Sequence, residues 1–373
     1  MEKNRLLAFT VLSAFAGVAS AQTSSVTLYG TFDINARYVK TDGQDRRVSE
    51  NSSGINSGQL GFRGEEDLGG GLKAGFILEA ENVADSGSAG DGTRNKFWNR
   101  RSLVRLFGNW GEIRLGRDYA PSYWSHGIFD AFGNLGLGNM LNIHQMYNGT
   151  RLDNSIGFVL PAGLGGFYGD AKVAAGEGGT TFDRPGRYVG ARVGYAAGPV
   201  NVAIAAGQQK FAVAWPGVGV AAGTGAPVLN NGALVPAPVD STQKTYNIGG
   251  SYDFGVAKLI AFYDREQLLD ARENLFSISA VVPLGQGEIH VAYDRSKLNG
   301  HLNAGGVSDG VGTAIDQIAL GYVYNMSKRT ALYTTISRLA NKDATTATLP
   351  GSAGKATPAG KSQGAEFGIR HFF

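Results

Sequence analysis

The chain of 373 residues contains no cysteine, and beyond its N-terminus it contains no long apolar run. Without cysteine, a disulfide-stapled secreted domain and a structural zinc site with thiolate ligands are both excluded. A transmembrane helix needs about 20 consecutive apolar residues, and no later stretch approaches that length. The formal net charge is only +3, with no dense Lys/Arg run, which argues against nucleic acid as a partner.

Glycine, by contrast, is abundant, with 56 residues in the chain, roughly twice its usual frequency of ~7%. Each glycine inside a helix costs about 1 kcal/mol relative to alanine, so the composition argues against a helical protein. No linker or shift in composition divides the sequence. We therefore expect one large closed unit rather than two domains.

The N-terminus has the pattern of a cleaved secretory signal peptide. A short positively charged region precedes a mostly apolar run from Leu6 to Val18, which is too short to span a bilayer as a helix. Ala19-Ser20-Ala21 then supplies the small-x-small pattern after which signal peptidase cuts. We predict that residues 1–21 are removed and that residues 22–373 form the exported domain; a retained membrane anchor is the alternative.

The dominant signal after residue 22 is the alternation of apolar and polar side chains in segments of about ten residues, each ending at turn-forming residues. Near Thr245, for example, Tyr246 and Ile248 oppose Asn247 and Ser251. An even number of antiparallel strands with both termini on one side is what a closed outer-membrane barrel requires. We count sixteen such segments, which begin near residues 25, 56, 72, 98, 111, 151, 165, 187, 199, 244, 256, 272, 286, 315, 329 and 364.

The connections between these segments alternate in length. Short turns such as Asp67–Gly71 and Gly108–Gly111 are separated by long polar loops, the third of which runs from about residue 119 to 150. Short turns at one end and long loops at the other are typical of transmembrane barrels, whereas a soluble sandwich has no reason to alternate so regularly. The pattern predicts an all-β fold, a 16-stranded antiparallel transmembrane β-barrel.

The two faces of the strands indicate which side meets water. A soluble barrel points its apolar face inward, whereas a membrane barrel points it at lipid and lines a water-filled lumen with the polar face. Charged residues recur along the polar face here. Aromatic residues gather at the ends of the apolar face, as expected of an interfacial girdle: Tyr38, Tyr195, Tyr252, Phe254, Tyr322 and Tyr324. A water-filled lumen is therefore the better interpretation.

Several stretches spread over the whole mature chain together resemble the trimeric, sixteen-stranded general porins of Gram-negative bacteria, most closely their β-proteobacterial branch. The resemblance implies a homotrimer in the outer membrane that contacts lipid and lipopolysaccharide. It also implies passive diffusion of ions and small polar solutes, with no cofactor and no metal. The matching stretches are residues 25–30, 60–74, 115–117, 151–155 and 327–330 with Tyr333, and the closing residues 368–373.

In such porins the third outer loop folds into the barrel, where acidic groups on the loop face arginines on the wall. The segment Phe129–Gly133 resembles the acidic turn of that loop, although Ala131 stands where proline is usual. Arg105 is a second departure, because a glycine usually follows the valine at this point. The resemblance and strand parity predict a pore constriction with a mild anion preference, formed by Arg63, Arg101, Arg105 and Arg151 opposite Asp130. Alternatively, several of these arginines merely solvate the mouth or pair with nearby glutamates.

Other functions remain as alternatives. A solute-selective porin with a binding track is the nearest; an outer-membrane enzyme or a surface adhesin is more distant. No histidine lies in a pattern such as Gly-x-Ser-x-Gly or His-Glu-x-x-His, so no catalytic residue is predicted.

For two outer loops, the sequence leaves more than one interpretation. The acidic loop Asp85–Asp91 has oxygen atoms that could bind calcium, although a solvated loop is the simpler reading. The loop 211–243 is rich in Ala, Val, Gly and Pro. It could cover the mouth, contact a neighbouring subunit or be an exposed variable loop.

Overall fold

The computed structural model describes residues 24–90, 96–146, 151–176, 186–213, 239–268, 270–300 and 313–373. The predicted signal peptide lies outside these residues, as does most of the loop 211–243.

Eighteen strands form one antiparallel sheet that closes on itself. They are β1 (Ser24–Thr41), β2 (Arg47–Ser52), β3 (Gln59–Gly69), β4 (Leu72–Val83), β5 (Ser88–Ala89), β6 (Arg101–Gly108), β7 (Gly111–Tyr119), β8 (Arg151–Val159), β9 (Phe167–Ala174), β10 (Tyr188–Ala197), β11 (Val200–Val213), β12 (Val239–Asp253), β13 (Lys258–Leu268), β14 (Ala271–Leu284), β15 (Gly287–Asn299), β16 (Thr313–Asn325), β17 (Thr330–Asn341) and β18 (Lys361–Phe372).

The eighteen strands fill sixteen positions around the barrel wall. β2 and β3 lie end to end along β1 and together count as one position, and the two-residue β5 pairs only with β4. The barrel closes where β1 pairs with β18, from Thr31 opposite Phe372 to Thr41 opposite Ser362. Closure leaves no open sheet edge, which in lipid would carry several kcal/mol of unsatisfied backbone per group. The predicted sixteen-stranded barrel is confirmed.

The wall is apolar outside and polar inside. Val26 is 68% exposed on the outer face, whereas Asp294 on the inner face is 0% exposed. Outward Tyr38, Tyr252 and Tyr324 are also exposed. This is the reverse of a soluble protein, and it confirms that the polar face surrounds the interior.

The third loop folds into the interior, as predicted. It contains helix α1 (Pro121–Ile128) and a 3-10 turn (Met140–Ile143), which contact β9–β12 and β15–β16 respectively. Phe129 packs against Phe262 of β13, with ring centroids 6.5 Å apart. Gly249 makes room for this approach, because a Cβ there would lie 2.1 Å from Phe129 Cδ2. Among the described residues, no helix is long and apolar enough to cross a membrane.

Candidate pore constriction

One side of the interior, which we call the open wall, carries an ion-pair network with the Arg192–Asp170 pair beside it. Its members lie on β3, β4, β6, β7, β9 and β10 and point inward, because the residues that alternate with them, such as Val104 and Leu115, are exposed outside. The network and this pair together join five cations to five acids. The cations are Arg101, Arg105, Arg114, Lys172 and Arg192, and the acids are Glu65, Glu79, Glu112, Asp118 and Asp170.

Asp118 is the centre of this network. It accepts from Arg101 Nε at 3.0 Å and Lys172 Nζ at 2.8 Å, and it lies 3.4 Å from Arg114 Nη1. Arg105 bridges Glu65 and, at 3.6 Å, Glu112. Each of these five acids therefore has at least one cation partner, and the five cations balance the five acids.

Three further guanidinium groups on this side have no carboxylate partner among the described residues. Arg63 lies over the ring of Tyr29, with Cζ 5.6 Å from the ring centroid. Arg100 and Arg151 both donate to the Tyr119 hydroxyl, at 2.8 and 3.1 Å, where β7 meets the third loop. One nearby acid, Glu81, also lacks a cation and accepts from Asn99 Nδ2 at 3.0 Å. Three cations against one acid leave this side with an excess of positive charge.

The opposite side, which we call the covered wall, is acidic and lies beneath the third loop. Its acids are almost completely buried, and none has a Lys or Arg ion-pair partner in the part of the chain that the structure describes. They are Asp264, Glu266, Glu273 and Asp294. Because isolated buried charges are costly, these carboxylates need hydrogen-bond or charged partners.

The third loop directly contacts two of the four, Asp264 and Glu273, whereas the other two accept hydrogen bonds from side chains of the wall. Glu273 accepts from the backbone N–H groups of Gln145 at 2.7 Å and Met146 at 2.6 Å. His144 lies between Asp264 and Glu273, at 3.1 and 3.0 Å. Burial alone would lower the pKa of His144, but Glu273 and Asp264 raise it well above the usual value. The acids of the covered wall therefore fasten the loop and do not face open water.

Asp130 lies within this buried layer. It is 5% exposed, and its carboxylate accepts from the backbone N–H groups of Phe132 at 2.9 Å, Asn134 at 3.0 Å and Met140 at 3.4 Å. Burial raises the pKa of Asp130 to about 6. Its geometry is that of a group that shapes the turn of the loop.

The departure at Ala131 has a visible consequence. The Ala131 N–H donates to Ser279 Oγ at 3.3 Å, a bond that proline, which lacks this hydrogen, could not make. The Ala131 carbonyl accepts from His290 Nδ1 at 2.6 Å. The turn is thus tied to β14 and β15 on both sides of this residue.

The predicted site residues fall in three places. Arg63 and Arg101 are linked on the open wall through Tyr29, whose hydroxyl donates to Glu79, the partner of Arg101. Arg105 lies on the same wall and pairs with Glu65 and Glu112. Arg151 lies where the third loop ends and β8 begins, and Asp130 is part of the third loop. Sequence reasoning missed Arg100, although it directly precedes the candidate Arg101. Whether these residues set ion selectivity stays a prediction.

The two loops left open by the sequence are only partly described. Asp85 accepts from Ser52 Oγ at 2.7 Å, while Asp91 lies outside the described residues. Residues 214–238 also lie outside them, so both interpretations stay predictions.

Comparison with known proteins agrees with this architecture. The sequence model of the Gram-negative porins matches residues 8–344. The chain is 37% identical to outer membrane porin protein 32 of Delftia acidovorans over the full length of both chains. The anion-selective porin from Comamonas acidovorans superposes with a TM-score of 0.78 at 34% identity, covering 94% of this chain and 100% of that one. The trimer form of Vibrio cholerae OmpT shares the fold alone, with a TM-score of 0.65 at 14% identity, covering 94% and 100%.

Proposed function

Because the chain belongs to the Gram-negative porin family, we propose that it is a trimeric diffusion channel that prefers anions and has no catalytic role. It is an outer-membrane porin, through which ions and small hydrophilic solutes diffuse passively.

The anion preference is carried by one observation, the excess of cations without a carboxylate partner on the open wall, of which Arg63 is exposed and Arg100 is buried. On the open wall, Arg63, Arg100 and Arg151 have no carboxylate partner. On the covered wall, the loop separates the acids from the lumen. Fixed charges act strongly on ions in a narrow passage, since low-dielectric walls focus the field and screening extends over about 10 Å at 0.1 M salt. An anion passing between loop and open wall therefore meets a positive surface.

The relatives support the same inference. The Comamonas porin, which is described as anion-selective, is 34% identical to this chain. The Vibrio cholerae protein is described in a trimer form. We extend the trimer to this chain, and we expect the outward apolar band to contact lipid, lipopolysaccharide and neighbouring subunits.

Planar-bilayer recording under a salt gradient tests the charge assignment. We expect the variant Arg63→Gln, Arg100→Gln, Arg151→Gln to lose most of the wild-type anion preference, because the unpaired cations are gone and the balanced network remains. Lys355→Gln, on an exposed outer loop, is the matched control and should behave as wild type. Wild-type selectivity in the triple variant would refute the assignment.

The same recordings test the assembly. A trimer should close in three equal current steps, whereas single steps of full amplitude would contradict it. Hydrolysis of lipid or peptide substrates by folded protein would contradict the absence of a catalytic role.

A further inference from the structure

We propose that His126, His144 and Asp264 form a binding site for a zinc-like divalent ion, which fastens the third loop to the barrel wall. The three side chains come from α1, from the segment after the 3-10 turn and from β13. The site would thus join two points of the loop to one strand. This goes beyond the proposed function, because ion selectivity does not require it.

The ligand atoms have the spacing that such an ion needs. One ligand atom from each residue can be chosen so that all three lie within 4.8 Å of one another. His126 Nε2 is 3.5 Å from Asp264 Oδ1, and His144 Nε2 is 3.1 Å from Asp264 Oδ2. Zinc bonds of 2.0–2.1 Å in tetrahedral geometry place neighbouring ligands about 3.4 Å apart. The two His–Asp264 contacts already match this spacing to within a few tenths of an ångström.

The remaining ring nitrogens are held as those of metal-binding histidines usually are. His126 Nδ1 lies 3.0 Å from the carbonyl oxygen of Ser122. His144 Nδ1 lies 3.0 Å from Glu273 Oε2. A histidine that binds a metal typically donates its second N–H to a backbone carbonyl or a carboxylate, which directs the other nitrogen at the ion. His126 shows this arrangement, and the His144 contact with Glu273 is an ion-pair contact at a comparable distance; both histidines direct Nε2 at the same carboxylate.

The charge of the surroundings favours a divalent cation. Asp264 and Glu273 are both buried and have no Lys or Arg ion-pair partner among the described residues. A proton on His144 would offset one of these two negative charges. A divalent ion would offset both and would bind both histidines in their neutral form. Two imidazoles and a carboxylate suit zinc, with a fourth position left for water.

No metal site was predicted from the sequence, because the three proposed ligands lie far apart along the chain. His126 and His144 are separated by the turn of the loop, and Asp264 follows on a strand more than a hundred residues later. Only the inward fold of the loop brings them together. Because the site is buried, an ion would enter as the loop closes during folding.

Metal content after refolding tests the proposal. The full mature chain is refolded in detergent with Zn²⁺, passed through EDTA and gel filtration, and analysed for metal. Heat-modifiable migration on gels confirms the folded barrel. We expect about one retained zinc per chain, with loss in His126→Gln and His144→Gln. His371→Gln, which removes an exposed histidine, should retain the ion. Glu273→Gln should weaken binding about 10- to 100-fold, the usual effect of losing an outer-shell partner.

Refolding with Co²⁺ gives a second readout that does not depend on variants. Intense visible absorption of tetrahedral Co²⁺ is expected from the wild-type chain. Folded wild-type protein that retains neither ion would overturn the proposal, as would equal retention in folded His126→Gln and His144→Gln. In the first case a proton on His144 fastens the loop; in the second the ion is bound elsewhere. Neither result bears on the anion preference, which is measured separately.

Discussion

The two walls of the interior contain similar acids in opposite circumstances. On the open wall, the Glu65 side chain is 42% exposed and pairs with Arg105. On the covered wall, Asp264 is 0% exposed and meets histidines of the loop. Acids on one wall balance arginines next to the passage, whereas acids on the other fix the position of the loop. Burial alone does not distinguish the walls, because Asp118 on the open wall is only 1% exposed; the partners of the acids do.

The covered wall should be the more sensitive to truncation. Glu273→Ala removes the acceptor of the Gln145 and Met146 N–H groups. Leaving two donors unsatisfied costs about 2–5 kcal/mol, enough to release this end of the loop. We expect much faster thermolysin cleavage within the loop and a noisier open-channel current.

The matched control is Glu66→Ala, which truncates an exposed acid on β3. If Glu273→Ala were cleaved no faster than this control, the loop would not depend on the covered wall.

The turn of the loop should respond to pH through Asp130. Its pKa is raised by burial to about 6, from an ordinary value of 3.8. A raised carboxyl pKa means that the closed loop binds this proton more tightly than an open one. The closed loop should therefore be most stable below pH 4 and lose about 2–3 kcal/mol as the pH rises to 6.

Open-channel current noise between pH 4 and 7 measures this effect. Asp294 and His290 lie close to Asp130, so we would compare Asp130→Asn with its parent in a His290→Gln background. The parent should become noisier as the pH rises, and the Asn variant should not. The same pH dependence in both would assign the effect to other groups.

Removing one acid from each wall should change the ion selectivity unequally. The expected change is the smallest among our predictions. Glu65→Gln leaves Arg105 with Glu112 as its one acidic partner among the described residues and should increase the anion preference by up to about tenfold, a change of ~1.4 kcal/mol or less. Asp294→Asn removes an acid that the loop covers, so the reversal potential should stay as in the wild type. Equal shifts in both variants would remove the distinction between the walls.

Much of the barrel could be predicted because its pattern is local. A window of about ten residues shows both the alternation along a strand and the turn residues that end it. All sixteen strand positions could therefore be predicted, as could the inward direction of Arg101 and Arg105. The place of the third loop followed from resemblance. The partners of the buried polar groups could not be predicted, because they depend on contacts between distant segments. Asp130 could not be recognised as a turn-shaping group, nor His144 as the partner of Asp264 and Glu273.

The most direct test of the account is the reversal potential of wild-type channels in a planar bilayer under a KCl gradient. The excess of unpaired guanidinium groups on the open wall predicts a reversal potential displaced toward the chloride equilibrium. A displacement toward the potassium equilibrium would mean that the acids control the passage, and it would contradict the division of the interior into an open and a covered wall.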